Sequence, residues 1–181
     1  MDNSRKIRLV SRTLEYACYV VAALVVLLQI SFSVLMWLAP ELAEPLLVAK
    51  GVVNAIAEAN PTRAVPAWII YLLPSVAMAY GIYRLGRMFG LFKAGAYFSE
   101  PAAAHLIIFS LLGLLVQFVS PVFSGLAGWV AQLGNEHGTV EFNITIDGTE
   151  LIQLLAWATF LTVAWIIREG MRLQTENAEF I

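Results

Sequence analysis

His105, His137 and the single thiol of Cys18 are the side chains of this chain whose ordinary chemistry suits catalysis or metal binding near neutral pH. A two-histidine haem or metal site needs both imidazoles in one coordination sphere, yet the distribution of Lys and Arg places them on opposite faces of a membrane. One cysteine excludes an intrachain disulfide, a Cys-x-x-Cys redox pair and any thiolate cluster, and Cys18 reads as a small hydrophobe inside an apolar run. His105, six residues past Ser99, reads first as an interfacial histidine. Its sharper alternatives are a pH-sensitive or ligand role and, last, a membrane enzyme acting on a lipid in which it joins Glu100 or Glu169. His137, between Glu136 and Glu141, belongs to a solvated acidic loop, with a weak divalent-cation site as the alternative. No Ser/His/Asp or Cys/His set assembles on one side, and no Gly-rich phosphate fingerprint is present. The expectation is a protein without catalytic residues, metal or cofactor.

The apolar runs hold no Asp, Glu, Lys or Arg in their interiors, whereas ion-coupled pumps place an ionisable group at membrane depth. What remains there is amide and hydroxyl: Gln29, Ser31 and Ser33, then Ser110, Gln117 and Ser120, then Thr159 and Thr162. Gln29 and Gln117 are candidate intramembrane polar contacts, and a hydrogen bond between them would contribute about 0.6–2 kcal/mol. The alternative makes these groups the lining of a small-solute transporter or permeation pathway. Pairs of small residues four apart, Ala77/Gly81 and Gly86/Gly90, permit close helix approach.

The elements that must position these residues follow from composition. Hydrophobic residues make up 60% of the chain and charged ones 13%, too apolar for a soluble protein of 181 residues. Of eleven Lys and Arg, nine flank three stretches: Arg5, Lys6, Arg8 and Arg12; Arg84, Arg87 and Lys93; Arg168 and Arg172. Lys50 and Arg63 alone fall in the other two connections. Short loops rich in Lys and Arg stay in the cytoplasm, so the pattern predicts a multi-pass inner-membrane protein with both termini cytoplasmic. No basic patch of the kind that binds nucleic acid directly is present.

The expected fold is an all-α integral membrane protein: a four-transmembrane-helix bundle forming one membrane domain over 1–181, with an outer amphipathic helix and a short outer β element. The spans cover about 14–38, 67–83, 106–122 with an extension to 130, and 151–167. The first is read as a retained helix, because Ala39-Pro40-Glu41 is a poor cleavage site. Between Pro40 and Pro66, Leu42, Leu46, Val53 and Ile56 recur at near-helical spacing until Asn60-Pro61-Thr62 breaks the run. Pro74 predicts a kink in the second span, which continues through Phe92 until Gly95 ends it. Ser99 caps the third helix, with Pro101 in its first turn, and Pro121 divides that helix into a span and a bent extension. From Thr139 to Ile146, Val140, Phe142, Ile144 and Ile146 alternate with polar residues as a strand would.

The cytoplasmic face carries the densest pattern and is the candidate partner-binding face: Arg84, Arg87, Lys93, Gly95, Phe98, Ser99, Arg168, Glu169, Gly170 and Arg172. Its plainer reading is a collar of basic residues with snorkelling stems among lipid headgroups. Two of its segments carry a family resemblance. Phe92-Lys93-Ala94-Gly95-Ala96-Tyr97-Phe98-Ser99, and Ala164-Trp165-Ile166-Ile167-Arg168-Glu169-Gly170-Met171-Arg172-Leu173 with the terminal Glu179-Phe180-Ile181, resemble the bacterial membrane-protein family catalogued as domain of unknown function 2975. The resemblance implies a small four-helix bacterial membrane protein with no assigned activity. Some relatives lie beside genes for small helix-turn-helix regulators, which implies a membrane-anchored regulatory role. The leading expectation is a non-enzymatic protein held in the lipid bilayer whose partner is a cytoplasmic regulator or another membrane protein.

Overall fold

The computed structural model describes residues 3–38, 61–133 and 148–178. Among them the chain forms four helices and no strand: α1 (Asn3–Leu38), α2 (Pro61–Lys93), α3 (Glu100–Gln132) and α4 (Gly148–Ala178). All four are long and apolar enough to cross a bilayer, and each contains one of the expected spans. Among the described residues the protein is thus all-helical, with the four apolar helices of a multi-pass membrane protein. The amphipathic segment from Leu42 to Glu58 and the alternating segment from Thr139 to Ile146 lie outside the described residues.

Helix boundaries depart from the sequence expectation in two places. Residues 61–66 belong to α2 and not to the preceding amphipathic stretch. Pro61 occupies the first helical position, where its missing N–H costs nothing and its fixed φ suits the helix. Pro121 does not divide α3, which runs as one helix of 33 residues. Its ring deprives the Gln117 carbonyl of a helical donor, but a spanning segment has no alternative backbone partner in hydrocarbon, so the helix carries on. Pro74 sits within α2 in the same way.

Side chains are sorted in the reverse of a soluble protein. The buried hydrophobic positions are mostly alanine (Ala22, Ala67, Ala79, Ala103, Ala127 and Ala164 among them), whereas Leu28, Phe118, Ile152 and Leu155 are exposed. In lipid, large apolar side chains gain nothing by turning inward. Helix contacts are instead built from small residues that let backbones approach.

The chain divides into two compact units. One comprises 25–76 with 116–147, and its core joins Ala67 of α2 to Ala127 and Ala131 of α3, flanked by Trp68, Ile70, Tyr71 and Val130. Here the Trp68 indole N–H donates to Ser33 Oγ at 2.7 Å, and Ser33 donates onward to the Gln29 carbonyl at 2.7 Å. Phe32 and Tyr71 pack on the indole at 4.7 and 5.5 Å between ring centroids.

The other unit comprises 1–24, 77–115 and 148–181. Its α1 and α2 run antiparallel in tight contact. A Cβ on Gly86 would stand 2.7 Å from Tyr19 Cε1, and one on Gly90 would stand 2.8 Å from Glu15 Oε1. Gly86 and Gly90 are therefore used within the chain, to seat α1. Gly113 of α3 is covered by the Trp157 ring of α4, which also meets Phe109 edge-on at 5.1 Å. Phe160 meets the same Phe109, so α4 runs antiparallel to α3.

Candidate functional site

Residues of the proposed basic face gather in the unit of 1–24, 77–115 and 148–181. Its centre is the turn between α2 and α3. At the end of α2, Gly95 takes φ +91°, its N–H bonds the Phe92 carbonyl at 3.0 Å, and the Ala96 N–H bonds the Leu91 carbonyl at 3.0 Å. This is the Schellman closure that a left-handed glycine permits. Four residues on, Ser99 Oγ accepts from the Ala102 N–H at 3.4 Å and donates to the Ala96 carbonyl at 3.1 Å, capping α3 as its sequence position requires. The turn is thus tied at both ends. Between the ties Tyr97 leans on Phe92 at 6.0 Å, while Phe98 is left 75% exposed.

Lys93, in the last turn of α2, reaches across to α1 and pairs with the Glu15 carboxylate. Its ammonium also lies 5.9 Å from the Tyr16 ring, and Arg12 lies 6.0 Å from the same ring. Lys93 therefore has a structural partner, whereas the sequence placed it on the docking face. Glu15 escaped sequence reasoning because it stands at the margin of the first span, where a charge is unremarkable. The available signal was a carboxylate set among apolar neighbours.

Arg84 and Arg87 lie three apart on α2, so they share a helix face. Arg84 donates to Tyr80 Oη at 3.2 Å with its guanidinium 5.8 Å from that ring, and Arg87 is exposed. Tyr80, Tyr83 and Tyr19 form a ring cluster beside them, with centroids 6.3 and 5.6 Å apart. His105 of α3 is half-buried, with the positive charges of Arg84 and Arg87 near enough to act on it. Arg84 Nε, His105 Nδ1 and Tyr97 Oη are buried without a hydrogen-bond partner.

On α4, Arg168, Glu169, Gly170 and Arg172 are exposed, and Arg172 pairs with Glu169 at 2.7 Å as their spacing of three allows. A Cβ at Gly170 would meet nothing within 4 Å.

The intramembrane candidates belong to the other unit. Gln29 and Gln117 are both half-buried, and no hydrogen bond between their side chains is found among the described residues. In the unit of 1–24, 77–115 and 148–181, the hydroxyls of Ser110, Thr159 and Thr162 each donate to the carbonyl four residues back in their own helix. No group of three or more His, Cys, Asp or Glu among the described residues is placed to hold a metal ion, and His137 lies outside them. No family model, curated protein or solved structure matches this chain.

Proposed function

We propose that this chain is a membrane-anchored regulatory or partner-binding protein, not an enzyme, whose basic end engages a cytoplasmic regulator or another membrane protein. In this proposal the membrane is the bacterial inner membrane and both termini face the cytoplasm. The excess of Lys and Arg beside Arg5–Arg12, Arg84–Lys93 and Arg168–Arg172 supports that orientation. The resemblance to the domain of unknown function 2975 family, proposed on the two basic segments, is consistent with it.

The observation that carries the proposal is Phe98: a large aromatic, 75% exposed, on a turn closed by hydrogen bonds on either side. A turn closed in this way lowers the ordering cost of binding. Aromatic and arginine side chains dominate protein recognition sites, and here an aromatic stands between the basic helix ends of α2 and the start of α3. Crosslinking in native membranes followed by purification in detergent tests it. A second protein should be captured by the wild type and lost in Phe98→Ala and in Arg87→Glu/Arg172→Glu. Recovery of lipid and self alone from the wild type would refute the proposal.

A further inference from the structure

Within the unit of 1–24, 77–115 and 148–181, α1 carries two heptad seams. Ser11, Glu15, Cys18 and Ala22 form the first, at alternating spacings of four and three. It faces the bundle: Ser11 and Ala22 are buried, while Glu15 and Cys18 are half-buried against Gly90 and Gly86. Ile7, Val10, Leu14, Ala17, Val21 and Leu24 form the second, at spacings of three and four, and all six are exposed. It lies roughly a quarter-turn around the helix from the first. An exposed apolar side chain in hydrocarbon is merely solvated by lipid, but this seam runs out of the hydrocarbon. Tyr19 packs on Tyr83, and such amphipathic rings settle among the headgroups. At 1.5 Å per residue, Val10 and Ile7 lie about 14 and 18 Å beyond Tyr19, past a headgroup layer about 5–8 Å thick. There they are 55% and 45% exposed. The remaining outward surface at that end is mostly polar, with Arg5, Arg12 and Thr13 around Leu9. An aliphatic stripe in water at this spacing is what a coiled coil buries.

We propose that the exposed seam of α1 pairs with the same seam of a second copy of this chain, as a parallel left-handed coiled coil over Ile7 to Leu24. The seam passes from water into hydrocarbon without a break, so its occupant must enter the bilayer beside α1 from the same side. Copies inserted in one orientation are necessarily parallel, which sets each seam residue against its own counterpart. Every level is then aliphatic on aliphatic. Ile7 and Val21, β-branched at a positions of the heptad, suit a two-stranded pair. Charge also permits the approach. Arg5, Arg8 and Arg12 fall at heptad positions turned away from the seam, and Lys6, the one flanking cation, comes opposite Ser11 of the partner subunit. This surface is distinct from the turn that displays Phe98, so the pairing and the docking of a regulator stand or fall separately.

The test is disulfide crosslinking of single-cysteine variants in native membranes, on a Cys18→Ala background with copper phenanthroline as oxidant. Val10→Cys and Ala17→Cys, on the seam, should each yield a linked species of twice the chain's mass. Leu9→Cys and Ala23→Cys, exposed on the same helix but off the seam, should yield several-fold less. Equal yields at seam and control positions would mean chance collision and would overturn the proposal. So would the absence of linked dimer at both seam positions, or linkage there to a protein of another mass. Native mass spectrometry of the detergent-purified chain gives a second reading. Wild type and Leu9→Arg should be dimeric, whereas Val10→Arg/Leu14→Arg should be monomeric with its helical circular dichroism unchanged. A dimer that survives the double change would equally overturn the pairing. Should the arginine variants fail to insert, the cysteine series decides alone, because its substitutions are small and uncharged.

Discussion

Three glycines of α2 and α3 show how much a single hydrogen atom decides in this fold. A methyl at Gly81 would meet Leu112 and Phe109 at 3.6 Å, an ordinary contact, whereas one at Gly86 would stand 2.7 Å from the Tyr19 ring and 3.1 Å from Cys18 Cβ. Gly81→Ala is therefore expected to be neutral or to stabilise by up to about 1 kcal/mol, through the lower helix cost of alanine. Gly86→Ala should destabilise by about 1–3 kcal/mol, because α1 must move away or Tyr19 must leave its rotamer. Unfolding in mixed micelles by rising sodium dodecyl sulfate measures both, and a cost at Gly81 equal to that at Gly86 would refute the packing described. Gly113 should be the least tolerant of the three, since the Trp157 ring occupies the space a side chain needs. The pair between Glu15 and Lys93 makes a separate prediction. Lys93→Met leaves a largely buried carboxylate without its partner, and Glu15→Gln in the same molecule relieves it. The double variant should be more stable than Lys93→Met alone. Additive losses would mean that the two charges do not interact.

At the scale of elements, local chemistry and register behave differently. The stop at Gly95 and the start at Ser99 were legible in the sequence, because caps are written in the few residues that make them. Ser99→Ala should cost about 1 kcal/mol, and Gly95→Ala about 1–2 kcal/mol for a left-handed residue with a Cβ. Both should also loosen the turn, seen as faster amide exchange at Ala96, Tyr97 and Phe98; unaltered exchange in both variants would deny the turn its rigidity. What the sequence did not show is which residue of one helix meets which residue of the next. In water an apolar stripe marks the inward face, but every face of these spans is apolar, so the stripe disappears. Register rests instead on small residues and single polar contacts, such as Gly90 against Glu15 or the Trp68 indole against Ser33. Neither partner is named by its own helix. Trp68→Phe keeps the ring stack with Phe32 and Tyr71 while deleting the donor to Ser33, and should cost about 0.6–2 kcal/mol by the same unfolding assay.

For the whole molecule, the proposed function requires the α2–α3 turn and the tail of α4 to face one compartment, opposite the start of α4. Length and hydropathy establish that the helices can cross; only the bias of Lys and Arg orients them. Three positions can report this without disturbing packing. Ala94 is exposed in the turn, and a Cβ added at Gly148 or Gly170 would have no neighbour within 4 Å, so a thiol at any of the three meets open space. Cys18→Ala supplies the background, since alanine keeps the Cβ that faces Gly86. In spheroplasts treated with a membrane-impermeant maleimide, Gly148→Cys should label at once, while Ala94→Cys and Gly170→Cys should label only after lysis. Four crossings demand that split, because the chain between Ala94 and Gly148 contains one span and the chain between Gly148 and Gly170 contains one more. Labelling of Ala94→Cys and Gly148→Cys from the same side would mean that α3 does not cross. Phe98 and Arg87 would then face the same compartment as the start of α4, and a cytoplasmic partner docking between the turn and the α4 tail would be geometrically impossible.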